Sequence, residues 1–182
     1  MLSQLENTAT YLLEICRVRK VYPDSIVWSS TPISLYRDNE IGLPMMQIED
    51  LVGSLHLFIV DTGAPYSIIP ESEYFKFGIT VLSESIWSYT AGGQARIGIA
   101  PRFKIGEIVI YNKFFWLIPD DREQLVTPEG EFLLSARIIG WDFLRQANNI
   151  QFTENDIIFN QLLDTPHLNN FLIDNVRGCL NF

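Results

Sequence analysis

Phe58-Ile59-Val60-Asp61-Thr62-Gly63-Ala64 is the stretch on which the fold turns. Phe58-Ile59-Val60 is wholly apolar and reads as a buried strand. It ends abruptly in Asp61-Thr62-Gly63. An acid at the mouth of a buried strand is costly unless something fixes it there. Gly63 lets the backbone turn sharply and bring amide groups to the carboxylate. Thr62 adds a hydroxyl able to bond locally or across an interface, and Ala64 is small enough for close packing. Taken alone, Asp-Thr-Gly reads as an ordinary β-turn, since Asp and Gly are common turn residues. Its surroundings decide against that. Beyond Pro65, Ser67-Ile68-Ile69-Pro70 is apolar again, and a second apolar run, Ala136-Arg137-Ile138-Ile139-Gly140, comes later and leads into Trp141-Asp142-Phe143-Leu144.

Outward from this stretch, short apolar runs alternate with Gly, Pro, Asn and Asp clusters between Pro44 and about Phe159. Met45–Ile48, Leu55–Val60, Ile86–Thr90, Ala95–Ile99, Phe103–Ile105, Ile108–Tyr111 and Phe114–Ile118 read as strands. Gly106-Glu107 reads as a tight hairpin turn and Gly92-Gly93 as a hairpin tip. Many short strands with frequent turns predict a compact, mainly β barrel or sandwich. Residues 119–131, with Asp120, Asp121, Glu123, Glu129 and Glu131, read as a solvated acidic loop rather than a metal site. A short helix is expected within 140–148.

The flanks differ from this core. Residues 3–19 carry Leu5, Ala9, Leu12, Leu13 and Cys16 at helical spacing, with Arg17, Arg19 and Lys20 at the end where cations suit the helix dipole. Residues 21–43 read as a connector with one short strand at Ser25–Trp28, because Pro23, Pro32 and Pro44 break regular structure. Near the C-terminus, Thr165 reads as an N-cap, Pro166 as the first helical residue and Gly178 as the stop, around a stripe of Leu168, Phe171, Leu172 and Val176. The expected organisation is an N-terminal helix and connector (1–43), a central β domain (44–160) and a helical C-terminal extension (161–182).

The 182 residues are 47% hydrophobic, enough for one sizeable core. A formal net charge of -9 argues against nucleic acid or an anionic membrane as partner. Two cysteines, Cys16 and Cys179, without a Cys-x-x-Cys pair, supply neither a disulfide framework nor a zinc site. They suit a reducing cytoplasm. Glu6 and Glu14 interrupt the N-terminal apolar pattern, so no secretory signal is expected, and no apolar stretch has the length of a membrane span. No Gly-x-Ser-x-Gly elbow and no Gly-Lys-Ser/Thr phosphate loop occurs. His56 and His167 read as structural. Trp87, Trp116 and Trp141 read as packing residues of the core or of a subunit contact.

Four segments, in order, resemble the retropepsin-like aspartic peptidases. Phe58–Ala64 looks like their catalytic segment, and Tyr89-Thr90-Ala91-Gly92-Gly93-Gln94 like their flap tip. Phe103-Lys104-Ile105-Gly106 is similar to the strand and turn that follow. Ile138-Ile139-Gly140-Trp141-Asp142-Phe143-Leu144 resembles the hydrophobic-hydrophobic-Gly segment and the start of its helix. The resemblance covers roughly residues 44–160. It implies a closed acid-protease barrel with a flap hairpin, one short helix after Gly140, and additional helices at both ends of this chain. It also implies an aspartic endopeptidase with Asp61 as the catalytic residue, supported by Thr62, Gly63, Ala64, Ile139 and Gly140, under a flap of Tyr89, Thr90, Ala91, Gly92 and Gly93.

No metal or cofactor is implied. Because the chain has a single Asp-Thr-Gly, the second carboxylate must come from another copy, so the implied assembly is a homodimer acting on a peptide or protein. The chain departs from the retroviral members at two positions. Pro65 and Trp141 stand where those members carry an acid and an arginine that pair to support the active site. Losing both avoids an orphaned charge. The departure leaves a second expectation: a catalytically weak or latent dimerisation or peptide-binding module of the same fold.

Overall fold

The computed structural model describes residues 26–37, 42–64, 66–82, 86–88, 93–120, 124–126, 132–135, 137–147 and 149–160. The helices expected at 3–19 and after Thr165, both cysteines, and Tyr89, Thr90, Ala91 and Gly92 lie outside them.

The described chain is mainly β. In order it forms β1 (Ile26–Val27), β2 (Ile33–Arg37), β3 (Pro44–Glu49), β4 (Leu55–Val60), β5 (Ile68–Pro70), a 3-10 helix (Glu71–Phe77), β6 (Thr80–Val81) and β7 (Ile86–Ser88). There follow β8 (Gly93–Ile105), β9 (Ile108–Ile118), β10 (Gln124–Val126), β11 (Phe132–Ser135), β12 (Ile138–Ile139), α1 (Trp141–Leu144), β13 (Asn149–Phe152) and β14 (Asp156–Asn160). The main sheet runs β13-β14-β2-β3-β4-β12-β5-β9-β8-β6, with β1 beside β9 and β7 beside β8. β10 and β11 form a separate pair.

Three expectations change. Among the described residues the sheet is an open path from β13 to β6, without the closure expected of a barrel. Residues 33–37, read as connector, form β2 between β14 and β3, so the sheet begins upstream of Pro44. Ile33 and Leu35 point into the core while Ser34 and Tyr36 are exposed, the period-2 alternation of a half-buried strand. The acidic stretch after residue 119, read wholly as loop, contributes β10, which pairs with β11.

The β8–β9 hairpin is the longest feature. Gly106, at φ 57°, starts its two-residue turn, and Ile105 pairs with Ile108. Each arm, expected as two strands, is one, and the register is constant on either side of Pro101 and Asn112, from Arg96↔Leu117 to Ile105↔Ile108. Asn112 takes φ 55°, a local irregularity facing the proline.

The buried apolar side chains form a large cluster and a smaller one of Met45, Ile59, Ile68, Ala95, Ile118 and Ile138. Phe58, Phe77, Phe103 and Phe115 meet edge-on or tilted with centroids 4.9–6.1 Å apart, the geometry aromatic rings prefer. Phe143 of α1 packs on Phe159 at 5.3 Å and stacks on Trp28 at 5.8 Å. The segment after β1 therefore braces the helix behind the Gly140 turn.

Candidate active site

β4 delivers Asp61. Its last three residues, Phe58, Ile59 and Val60, are buried, so the strand cannot shift without exposing apolar surface. β12 lies between β4 and β5, parallel to the first (Ile138↔Ile59, Ile139↔Val60) and antiparallel to the second (Ile138↔Ile68). The Ile59 amide donates to the Arg137 carbonyl at 2.7 Å, and the Asp61 amide to the Ile139 carbonyl at 3.1 Å. The two apolar runs singled out in the sequence are thus hydrogen-bonded neighbours, and their ends meet at Asp61 and Gly140.

Asp61 itself is half-buried, Thr62 and Gly63 are exposed, and Ala64 is half-buried. The Gly63 amide donates to Asp61 Oδ1 at 2.7 Å, a short bond of the kind a charged acceptor makes. The Ala64 carbonyl accepts from the Trp141 amide at 2.7 Å. Ile139 and Gly140 are buried. A Cβ at position 140 would overlap the Tyr66 carbonyl group and lie 2.8 Å from the Ala64 oxygen. Only glycine allows the two loops to approach this closely. Trp141 is 44% exposed beside the Ala64 carbonyl. Gly93, expected at the flap tip, opens β8 and pairs with Ser88 of β7.

Three residues with no role in the sequence reading lie directly behind this turn. Ser67 Oγ accepts from the Gly140 amide at 3.2 Å and donates to Asp142 Oδ1 at 2.8 Å. Asp142 Oδ2 is paired with Lys113 Nζ, which also donates to the Phe114 carbonyl at 2.9 Å. Nothing in the sequence marks Lys113 as buried, because the Asn112 irregularity interrupts the alternation around it. Ser67 and Asp142 lie inside quoted runs of the sequence, with no role attached to either.

Arg137, just before β12, is clamped by Glu73 of the 3-10 helix and reaches the Leu57 carbonyl at 3.4 Å. Burial pushes the Glu73 carboxyl up, but the Arg137 hydrogen bond and charge, and then Lys76, outweigh it and hold the group below its ordinary value. His56, near the opposite end of β4 from Asp61, bonds Asp50 Oδ2 through Nε2 at 2.8 Å and meets Phe77 edge-on, which agrees with a structural role. Among the described residues no three His, Cys, Asp or Glu side chains cluster as metal ligands.

Chemically, the turn presents one carboxylate, aimed by a backbone amide, at the end of a buried strand. Such a group can take a proton from water but cannot by itself also polarise a carbonyl.

Residues 50–143 match the family described as aspartyl protease. Comparison with curated proteins returns no match. Among solved structures, the chain is similar to a retropepsin-like aspartic protease from Rickettsia conorii, with a TM-score of 0.48 and 16% identity, over 77% of this chain and 94% of that one.

Proposed function

The chain belongs to the aspartyl protease family, as its resemblance to the retropepsin-like members implied, and from that premise we propose a homodimeric aspartic endopeptidase in which each copy supplies one Asp61. The observation that carries this reading is the fixed Asp61 carboxylate, bonded by the Gly63 amide at 2.7 Å and set by the β4–β12 pairing. The chain contains this Asp-Thr-Gly once, so a two-fold axis is the simplest source of the second carboxylate.

As in aspartic proteases generally, two carboxyl groups about 3 Å apart cannot both ionise and share one proton. The ionised member takes a proton from the attacking water, and the protonated member donates to the scissile carbonyl oxygen. The proton distribution belongs to the pair and not to either Asp61 alone. Activity therefore favours acidic pH, where one proton is retained. Thr62, exposed beside the acid, bonds across the dimer and locks the two turns together. Ala64 lines the channel. The β7–β8 arms carry residues 89–93 as a flap over an extended peptide, which is bound as an added strand and shielded from water.

The test is cleavage of a peptide mixture at acidic pH, with pepstatin and Asp61→Asn as controls. The reading expects pepstatin-sensitive cleavage by the wild type alone. Equal turnover by Asp61→Asn would remove Asp61 from the chemistry. A dimer with no cleavage at all would instead support the peptide-binding module.

A further inference from the structure

We propose that Lys113, Asp142 and Ser67 form a buried positioning relay that fixes the Gly140 turn and, through it, the direction of the Asp61 carboxylate. The proposal rests on the peptidase reading for its kinetic consequence but not for its geometry. Ser67, Lys113 and Asp142 are 0%, 2% and 2% exposed, and they are the polar residues buried as whole residues among the described residues. All three belong to one connected network. A charged pair withdrawn from water loses hydration that its mutual attraction seldom repays in full. A well-packed apolar pair in the same place is commonly as stable, so stability alone gives little reason for this one.

Its location supplies a reason. Lys113 projects from β9, also bonds the Phe114 carbonyl, and grips Asp142 of α1. Asp142 accepts the Ser67 hydroxyl hydrogen bond at 2.8 Å, which leaves the Ser67 oxygen to accept from the Gly140 amide at 3.2 Å. Ser67 is tied to β9 a second time, because its carbonyl accepts from the Trp116 amide at 3.0 Å. Gly140 lies between two residues bonded to the catalytic loop: Ile139, whose carbonyl receives the Asp61 amide, and Trp141, whose amide donates to Ala64.

The relay therefore joins the rigid β8–β9 hairpin to both ends of the Asp61–Ala64 turn. Acceptance by Asp142 orients the Ser67 hydroxyl so that its lone pair, and not its proton, faces Gly140. The catalytically relevant property is an acceptor at position 142, and the ammonium of Lys113 is what allows a carboxylate to serve as that acceptor without water. These are positioning residues; none touches substrate.

Two double variants separate this role from simple charge burial. Lys113→Met with Asp142→Leu removes both charges and the acceptor for Ser67. Lys113→Met with Asp142→Asn removes both charges but keeps an acceptor oxygen. Ser67→Ala, a single small truncation, serves should either double variant fail to fold. Two quantities are read: the Gly63 amide resonance by NMR, which reports the Asp61 bond without requiring activity, and kcat and KM for a cleaved peptide.

The relay predicts a displaced Gly63 resonance and about a tenfold lower kcat, with KM retained, for the Leu variant and for Ser67→Ala. It predicts near wild-type values for the Asn variant. Identical behaviour of the two double variants overturns it, as does an unmoved Gly63 resonance or an unchanged kcat in Ser67→Ala. If the wild type cleaves nothing, the peptidase reading fails by itself, and the Gly63 resonances still decide the relay.

Discussion

Substituting Gly140 by alanine tests the close approach of the two loops. The added methyl would lie 2.8 Å from the Ala64 oxygen, about 0.6 Å inside the 3.4 Å where ordinary contact begins, and would overlap the Tyr66 carbonyl group. Both obstacles are backbone, so no side chain can rotate away. The turn must open, and the bonds it carries, Trp141 to Ala64 at 2.7 Å and Asp61 to Ile139 at 3.1 Å, stretch with it. Two such bonds are worth about 1–3 kcal/mol together, and overpacking adds about 1–3 kcal/mol. The expected loss is about 3 kcal/mol, a fall in Tm of about 10 °C for a chain of this size. Gly98→Ala is a second test of crowding: its methyl would lie 2.4 Å from Ile79 Cγ2, the branch of a stiff, buried side chain, so it too should destabilise, by about 1–3 kcal/mol of overpacking. Urea and thermal unfolding of both variants measure this. A Gly140→Ala protein within about 0.5 kcal/mol of wild type, the range of an ordinary surface substitution, would refute the reasoning.

Three further outcomes follow from named contacts. Asp61→Asn keeps an acceptor for the Gly63 amide, so it should fold normally while peptide cleavage falls by at least about 10²-fold, measured as kcat/KM. Glu73 lies below its ordinary value of 4.5 when folded, so its ion pair with Arg137 contributes fully above that value and is lost as pH falls through the lower folded value. The urea midpoint gap between wild type and Glu73→Gln should accordingly be widest near neutral pH and close in acid; a constant gap would contradict the pairing. The acid limb of peptidase activity should then include a loss of folded protein, seen as a circular dichroism signal that declines with the rate.

Much of the site was legible because its chemistry is local. An apolar run that stops at Asp61-Thr62-Gly63, and another that stops at Ile138-Ile139-Gly140, specify two buried strand ends, and the structure pairs them side by side. β8 and β9 were legible only in pieces. The separate runs on either side of Pro101 and Asn112 belong to single thirteen- and eleven-residue strands, because these two residues face each other and leave the register intact. β2 was missed because only Ile33 and Leu35 carry its signal, between Pro32 and the exposed Arg37. Lys113 and Asp142 could not be foreseen as a buried pair. Charged residues are surface residues unless paired, and pairing between residues 29 positions apart is a property of the tertiary fold.

The shared-carboxylate account is tested most directly by mixing subunits. Wild-type and Asp61→Asn chains are unfolded together, refolded at a fixed total concentration, and assayed for peptide cleavage as the proportion of wild type is varied. If each active centre needs one Asp61 from each of two copies, activity falls with the square of the wild-type fraction, to about a quarter at an equal mixture. A straight-line decline to about half would mean that a single Asp61 suffices, and would contradict the account.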